Sequence, residues 1–160
     1  MSERWIVNAS PLILLCRIGC ERWLTALSDE VVIPAAVARE VTSLTRTDRA
    51  CELVGSGAIR VVPSPTPPTA LLTWDLGSGE TEVLALSLGL PGWVAILDDR
   101  AARQCASALG VPTRGTLGVV LLAKDRGLVC EARPVVAELR QAGLYLTDTV
   151  TNGALALVGE

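Results

Sequence analysis

Four acids and one amide interrupt apolar patterns at places where a folding chain gains nothing from a polar side chain unless it is used. Asp98 and Asp99 end the apolar run Val94-Ala95-Ile96-Leu97, and Asn8 ends the run Trp5-Ile6-Val7. Glu80 follows Gly77-Ser78-Gly79 at the start of an apolar helical stretch, and Glu40 falls three residues after Val37 and four before Leu44, on the apolar stripe of its own helix. Carboxylates beside a buried strand end are costly unless capped, paired or bound to a cation. Simpler uses exist for three of them. Asp99 can cap the helix that begins at Arg100, Glu80 can face the positive end of its helix dipole, and Glu40 can pair with an arginine across the fold. Capping at Asp99 leaves Asp98 unexplained. Together, an amide and three or four acids at element ends compose an oxygen-rich site of the kind that holds Mg2+ or Mn2+.

Composition limits the alternatives. The sequence has no His, which removes imidazole zinc sites, Ser-His-Asp triads and His general bases. Thirteen Arg and a single Lys leave a net charge of -3 and a pI near 5.0, so a nucleic-acid partner must meet a local basic patch and not a global basic field. Cysteines 16, 20, 51, 105 and 130 are odd in number and lack a C-x-x-C pair, and read as reduced core residues of a cytoplasmic protein. No cleavable signal precedes residue 5 and no apolar run reaches bilayer length, so the expectation is a soluble chain with no membrane partner. With 160 residues, 50% of them hydrophobic, a single domain over 1–160 is expected.

The acids need elements to carry them, and strand and helix signals alternate from end to end. Residues 4–8 and 94–97 are continuous apolar runs, as in parallel strands covered on both faces; 31–33 and 59–62 look like shorter companions. Ser10-Pro11 supply an N-cap and a first-turn proline for a helix through Arg17, and Pro34 opens another. The stretch PSPTPPTALL, 63–72, reads as an exposed connection. The second half holds helical stretches at GETEVLALSLGL, RAARQCASALG, GTLGVVLLAKDRG and ARPVVAELRQAG, the last three closing on Gly, with one more helix in the tail. Such alternation implies right-handed βαβ units in a three-layer α/β/α domain with a central parallel sheet of about four to five strands, whose functional groups gather beyond the carboxyl ends of the strands.

The stretches VNASPLILLCRIG, VVIPAAVAREV, LGSGETEVLALSLGL, ILDDRAAR and GTLGVVLLAKDRGLV stand in the order and spacing of the PIN-domain fold, and the chain resembles a VapC-like subfamily of bacterial and archaeal PIN proteins. The resemblance covers nearly the whole sequence. It implies a small parallel α/β ribonuclease that gathers acids around a divalent metal, and a toxin held by a small antitoxin protein. It places Asn8, Glu40, Glu80 and one of Asp98 and Asp99 at the four acidic catalytic positions, with Glu40, Glu80, Asp98 and Asp99 as metal ligands, and gives Ser10 and Thr116 as supporting hydroxyls. Arg100, Arg103 and Arg114 lie near the expected rim, suited to an RNA backbone or simply solvated.

Three readings follow. The leading one is a Mg2+- or Mn2+-dependent endoribonuclease, the toxin of a toxin-antitoxin pair. The second is a non-catalytic PIN-like domain that binds RNA or protein, favoured by the amide at position 8, which leaves the site one negative charge short. A small-molecule phosphatase or nucleotide-binding protein is the third. GSGE lacks the Lys and spacing of a P-loop. Apolar helices with few charges, such as GTLGVVLLA, predict a homodimer or higher oligomer.

Overall fold

Trp5, Ile6 and Val7 have no exposed surface, and the reason is their place in the sheet. The computed structural model describes residues 2–44 and 47–160. In chain order its elements are β1 (Glu3–Val7), α1 (Ala9–Arg17), α2 (Arg22–Ala26), β2 (Ser28–Pro34), α3 (Ala35–Thr42), α4 (Arg49–Gly55), β3 (Arg60–Val62) and α5 (Thr69–Leu72). There follow α6 (Ser78–Gly89), β4 (Val94–Ile96), α7 (Arg100–Ala108), β5 (Thr113–Arg114), α8 (Thr116–Asp125), α9 (Ala132–Ala142) and α10 (Asp148–Leu157). The five strands form one parallel sheet in the order β3-β2-β1-β4-β5, flanked by helices as the middle layer of a three-layer α/β/α fold. β1 is central: Trp5 stands between Val31 and Val94, and Ile6 between Val32 and Ala95. Covered on both faces, it reads as an unbroken apolar run.

The main core joins the sheet to residues such as Leu12 and Leu15 of α1, Val37 of α3 and Leu84 of α6. Each fully buried Leu or Ile contributes about 1.5–3 kcal/mol. A second cluster unites Leu14 of α1, Val120 of α8, Val136 and Leu139 of α9, and Leu155 of α10. It is closed by Glu160, whose carboxylate accepts hydrogen bonds from Lys124 Nζ and from the backbone N–H groups of Ala132 (2.6 Å) and Arg133 (2.9 Å). The Lys124 bond, followed by these two, brings the carboxyl down to about 2. α7, α8 and α9 are each followed by a glycine with positive φ, Gly110, Gly127 and Gly143, a backbone state that other residues rarely adopt.

Three expectations need correction. PSPTPPTALL is not wholly an exposed connection: its last four residues form α5, and Leu71 is 1% exposed. The apolar face of GTLGVVLLA is packed, with Val119, Val120 and Ala123 of α8 buried; the exposed large apolar groups lie elsewhere, at Leu72, Trp74, Tyr145, Val150 and Leu157 among others. Among the cysteines, Cys16 and Cys105 are buried and their thiols are pushed up by burial, Cys16 to about 12, but Cys130 is exposed. Among the described residues no helix is long and apolar enough to cross a membrane.

Candidate active site at the carboxyl ends of β1 and β4

β1 and β4 pair in parallel with Val7 opposite Ile96, so Asn8 and Asp98 leave the sheet at the same edge. The backbone N–H of Asn8 donates to Ile96 O at 3.1 Å, which carries the ladder up to the first site residue. Here the strand order reverses, with β2 and β3 on one side of β1 and β4 and β5 on the other, the place where open α/β sheets form a crevice.

Asn8 occupies the N-cap position of α1 but caps nothing with its side chain. Its Nδ2 donates to Glu80 Oε1 at 3.1 Å. The residue is 2% exposed, and its Oδ1 is buried without a hydrogen-bond partner. Such an orphaned oxygen is costly, on the order of 1–3 kcal/mol. Glu80 is the third residue of α6, and its carboxylate curls back over Gly77, where a Cβ would stand 2.5 Å from Oε2. Gly79 is buried and makes room in the same way: a Cβ there would lie 3.0 Å from Glu40 Oε2 and 3.1 Å from Asn8 Oδ1. Residues 8, 40 and 80 therefore meet around the first turn of α6. Burial, and then the neighbouring charge of Glu80, pushes the Glu40 carboxyl above its usual range.

Asp98 is fixed from across the fold. Its Oδ1 accepts from the Thr116 backbone N–H at 2.7 Å and its Oδ2 from Thr116 Oγ1 at 2.5 Å. Thr116 is the fully buried first residue of α8, so the carboxylate also faces the positive end of that helix. Asp99 takes the simpler role: it is exposed and caps α7, accepting from Ala102 N–H at 2.9 Å. Asn8, Ser10, Glu80, Asp98, Asp99 and Arg100 line one open cavity of about 500 Å³, with Leu144 and Tyr145 on its far lip.

The structure corrects the expected site in three respects. Glu40 is not on the buried stripe of α3, which consists of Ala36, Val37 and Val41; it is exposed at the helix edge and reaches inward through its length. Glu40 and Glu80 are close enough for their charges to interact, but Asp98 is held by Thr116 and Asp99 by the start of α7, and among the described residues no three Asp, Glu or Cys side chains are disposed to hold one ion. Arg114 is no free rim cation. Its Nη2 pairs with Glu3 at 2.7 Å, both side chains being partly buried. Burial alone would raise the Glu3 carboxyl, but hydrogen bonds from Arg114 and Trp5, with the charges of Arg114 and Arg126, bring it below its usual range. Arg100 and Arg103, in contrast, are exposed and enter no ion pair among the described residues.

The donors are all oxygens, the type that Mg2+ and Mn2+ take, and the buried Oδ1 of Asn8 is an acceptor without a donor, next to two carboxylates that repel each other. In donor chemistry the residues fit such an ion. Neither Gly79 nor Tyr145 stands out from residue type and spacing alone. Gly79 lies in GSG, a stretch that suggests only a loop, and Tyr145 is a lone aromatic in a polar tail.

Comparison with curated proteins gives no match. Comparison with protein families matches residues 4–160 to the PIN domain, whose members are in general nucleases and RNA-binding proteins that depend on divalent metal. The parallel sheet, the reversal beside β1 and the acids gathered at its carboxyl edge agree with that match along nearly the whole sequence, and the chain belongs to the PIN-domain family.

Proposed function

We propose that the chain is an endoribonuclease dependent on Mg2+ or Mn2+, acting as one PIN-like domain over residues 1–160. The observation that carries this reading is the unpartnered Oδ1 of Asn8, held with Glu80 and Asp98 at the wall of one cavity. Glu40 and Glu80, with the Asn8 oxygen, are the residues that would hold the ion, and Asp98 lines the same cavity as Asn8 and Glu80. When bound, it supplies a water acidic enough to attack a phosphodiester and a positive charge to offset the leaving oxygen. The chain's own groups do the rest. Thr116 fixes Asp98 in one orientation, so that its carboxylate is positioned before substrate arrives. Arg100 and Arg103 face the phosphates, with Ser10 in the cavity wall as a neutral donor.

We further propose that the protein is a cytoplasmic toxin, that a small antitoxin protein holds it, and that it forms a homo-oligomer through exposed apolar groups such as Leu72 and Trp74. Light scattering at micromolar concentration should show a species larger than the monomer. The decisive experiment is cleavage of a structured RNA with Mg2+, Mn2+ or EDTA, by the native chain and by Glu80→Gln and Asp98→Asn. Cleavage that needs metal and falls at least about a hundredfold in both variants supports the reading. RNA left intact under every condition refutes it.

One observation favours a second reading, a non-catalytic PIN-like domain that binds RNA or protein. The Asn8 amide already gives Glu80 a hydrogen-bond donor where an ion would otherwise be needed. In that case RNA binding survives EDTA and cleavage is absent.

A further inference from the structure

Tyr145 is the only tyrosine of the chain and is 87% exposed, yet the segment that carries it is anchored. Gly143 ends α9 with positive φ, Leu144 N–H donates to Leu139 O at 2.9 Å, and Leu144 packs on the second apolar cluster. An aromatic ring is thus held out in water by a fixed backbone and contributes little to the core. It stands on the lip of the acid cavity and lines a neighbouring cavity of about 410 Å³ with Asp98 and Arg103. Asp98 also walls a third cavity, with Arg100 and Arg103, along α7. Asp98 is common to all three, and Tyr145 shares one of them with Arg100 and another with Arg103, neither of which enters an ion pair among the described residues.

The geometry points to Tyr145 as a specificity-determining residue: it stacks the base of one nucleotide beside the phosphate that lies at Asp98. This rests on the nuclease reading of the site. Phosphates on either side of that nucleotide face Arg100 and Arg103, which are exposed and form no ion pair among the described residues. A base with both faces already covered by duplex neighbours cannot reach the ring, so the nucleotide at this position must be unpaired. The selection is by the π-face and not by base-edge hydrogen bonds, and it tolerates any base while favouring the larger purines. A polypeptide partner is the competing occupant, but two unpaired arginines beside a bare aromatic ring match a phosphate-base repeat more directly.

The test is cleavage of a short unstructured RNA and of a series in which one base at a time is removed, leaving the backbone intact. For the native chain, one abasic position next to the cleaved bond should lower kcat/KM about tenfold, the scale of one lost stack. Tyr145→Ala should show that same loss on the intact RNA, chiefly in KM, and no further loss at the abasic position; Tyr145→Phe should behave as the native chain. Thermal melting of both variants should be unchanged. If Tyr145→Ala cleaves the intact RNA at the native rate while Glu80→Gln is inactive, the stacking role is wrong and the nuclease reading stands. A native chain that neither binds nor cleaves RNA overturns both. A Tyr145→Ala variant altered only in its size by light scattering marks the ring as a protein contact, which also overturns the inference.

Discussion

The side-chain amide of Asn8 hydrogen-bonds Oε1 of Glu80 at 3.1 Å across a separation of 72 residues, and leaves its own oxygen buried without a partner. An amide here attracts Glu80 where a carboxylate would repel it.

Asn8→Asp therefore replaces a donor by a like charge. Without metal the variant should be less stable than the native chain by about 2 kcal/mol near neutral pH. The new carboxyl pair holds one proton to a higher pH than it would unfolded, so the variant is most stable in acid and loses stability as pH rises. Mg2+ should restore it, with tighter metal binding and faster RNA cleavage than in the native chain. Thermal melts with EDTA and with Mg2+, across pH, check both halves. Equal melting in the two, with cleavage unchanged, would remove Asn8 from the proposed metal site.

Glu40→Gln tests the carboxyl that burial and Glu80 push up. A folded-state value above the unfolded one gives stability that is fully present below the unfolded value, 4.5, and is lost as pH rises through the folded value. The glutamine variant should be the more stable protein at pH 7, by under about 1 kcal/mol because Glu40 is largely exposed and screened by water. Urea denaturation should show the difference shrinking towards pH 4.

Gly79→Ala should separate activity from stability. The added Cβ must fit 3.0 Å from Glu40 Oε2 and 3.1 Å from Asn8 Oδ1. Glu40 is exposed and can swing outward, while Asn8 is 2% exposed and tied to Glu80 through its amide. Alanine gains roughly 0.5–1 kcal/mol of helix propensity over glycine, which offsets the crowding. Melting temperature should move little, and RNA cleavage should fall about tenfold or more as the Glu40 carboxylate leaves its place.

Thr116→Val removes the hydroxyl that holds Asp98 Oδ2 and keeps the backbone donor to Oδ1. A loss of about 1–3 kcal/mol is expected, together with a fall in kcat larger than any change in KM. Thr116→Ser should recover most of both. A valine variant with native kcat would show that Asp98 needs no such fixing.

The central strands were legible in the sequence for a physical reason. β1 and β4 are covered on both faces, so their apolar runs are continuous, and Asn8 and Asp98 stand out where those runs stop. β5 was not legible: it is two residues long, Thr113 and Arg114, and neither has an apolar side chain. α2, α4 and α5, of five, seven and four residues, are too short for a helical period to show. Within the site, positions at element ends were readable, but partners were not. Nothing local tells that Asp98 is held by Thr116, that Glu40 reaches the site from an exposed helix edge, or that Arg114 is taken by Glu3.

The sheet order also bears on synthesis. The central strand is the first to leave the ribosome, yet its β4 side stays open until residue 94 has emerged, because Trp5 pairs there with Val94. Asp98 in turn is not oriented until Thr116 has followed. A nascent chain thus carries an uncovered apolar strand edge until β4 has emerged and no assembled carboxylate site until Thr116 has, and pairings this distant in sequence form slowly. Any chemistry that needs an oriented Asp98 is therefore absent from a ribosome-tethered chain until Thr116 has emerged.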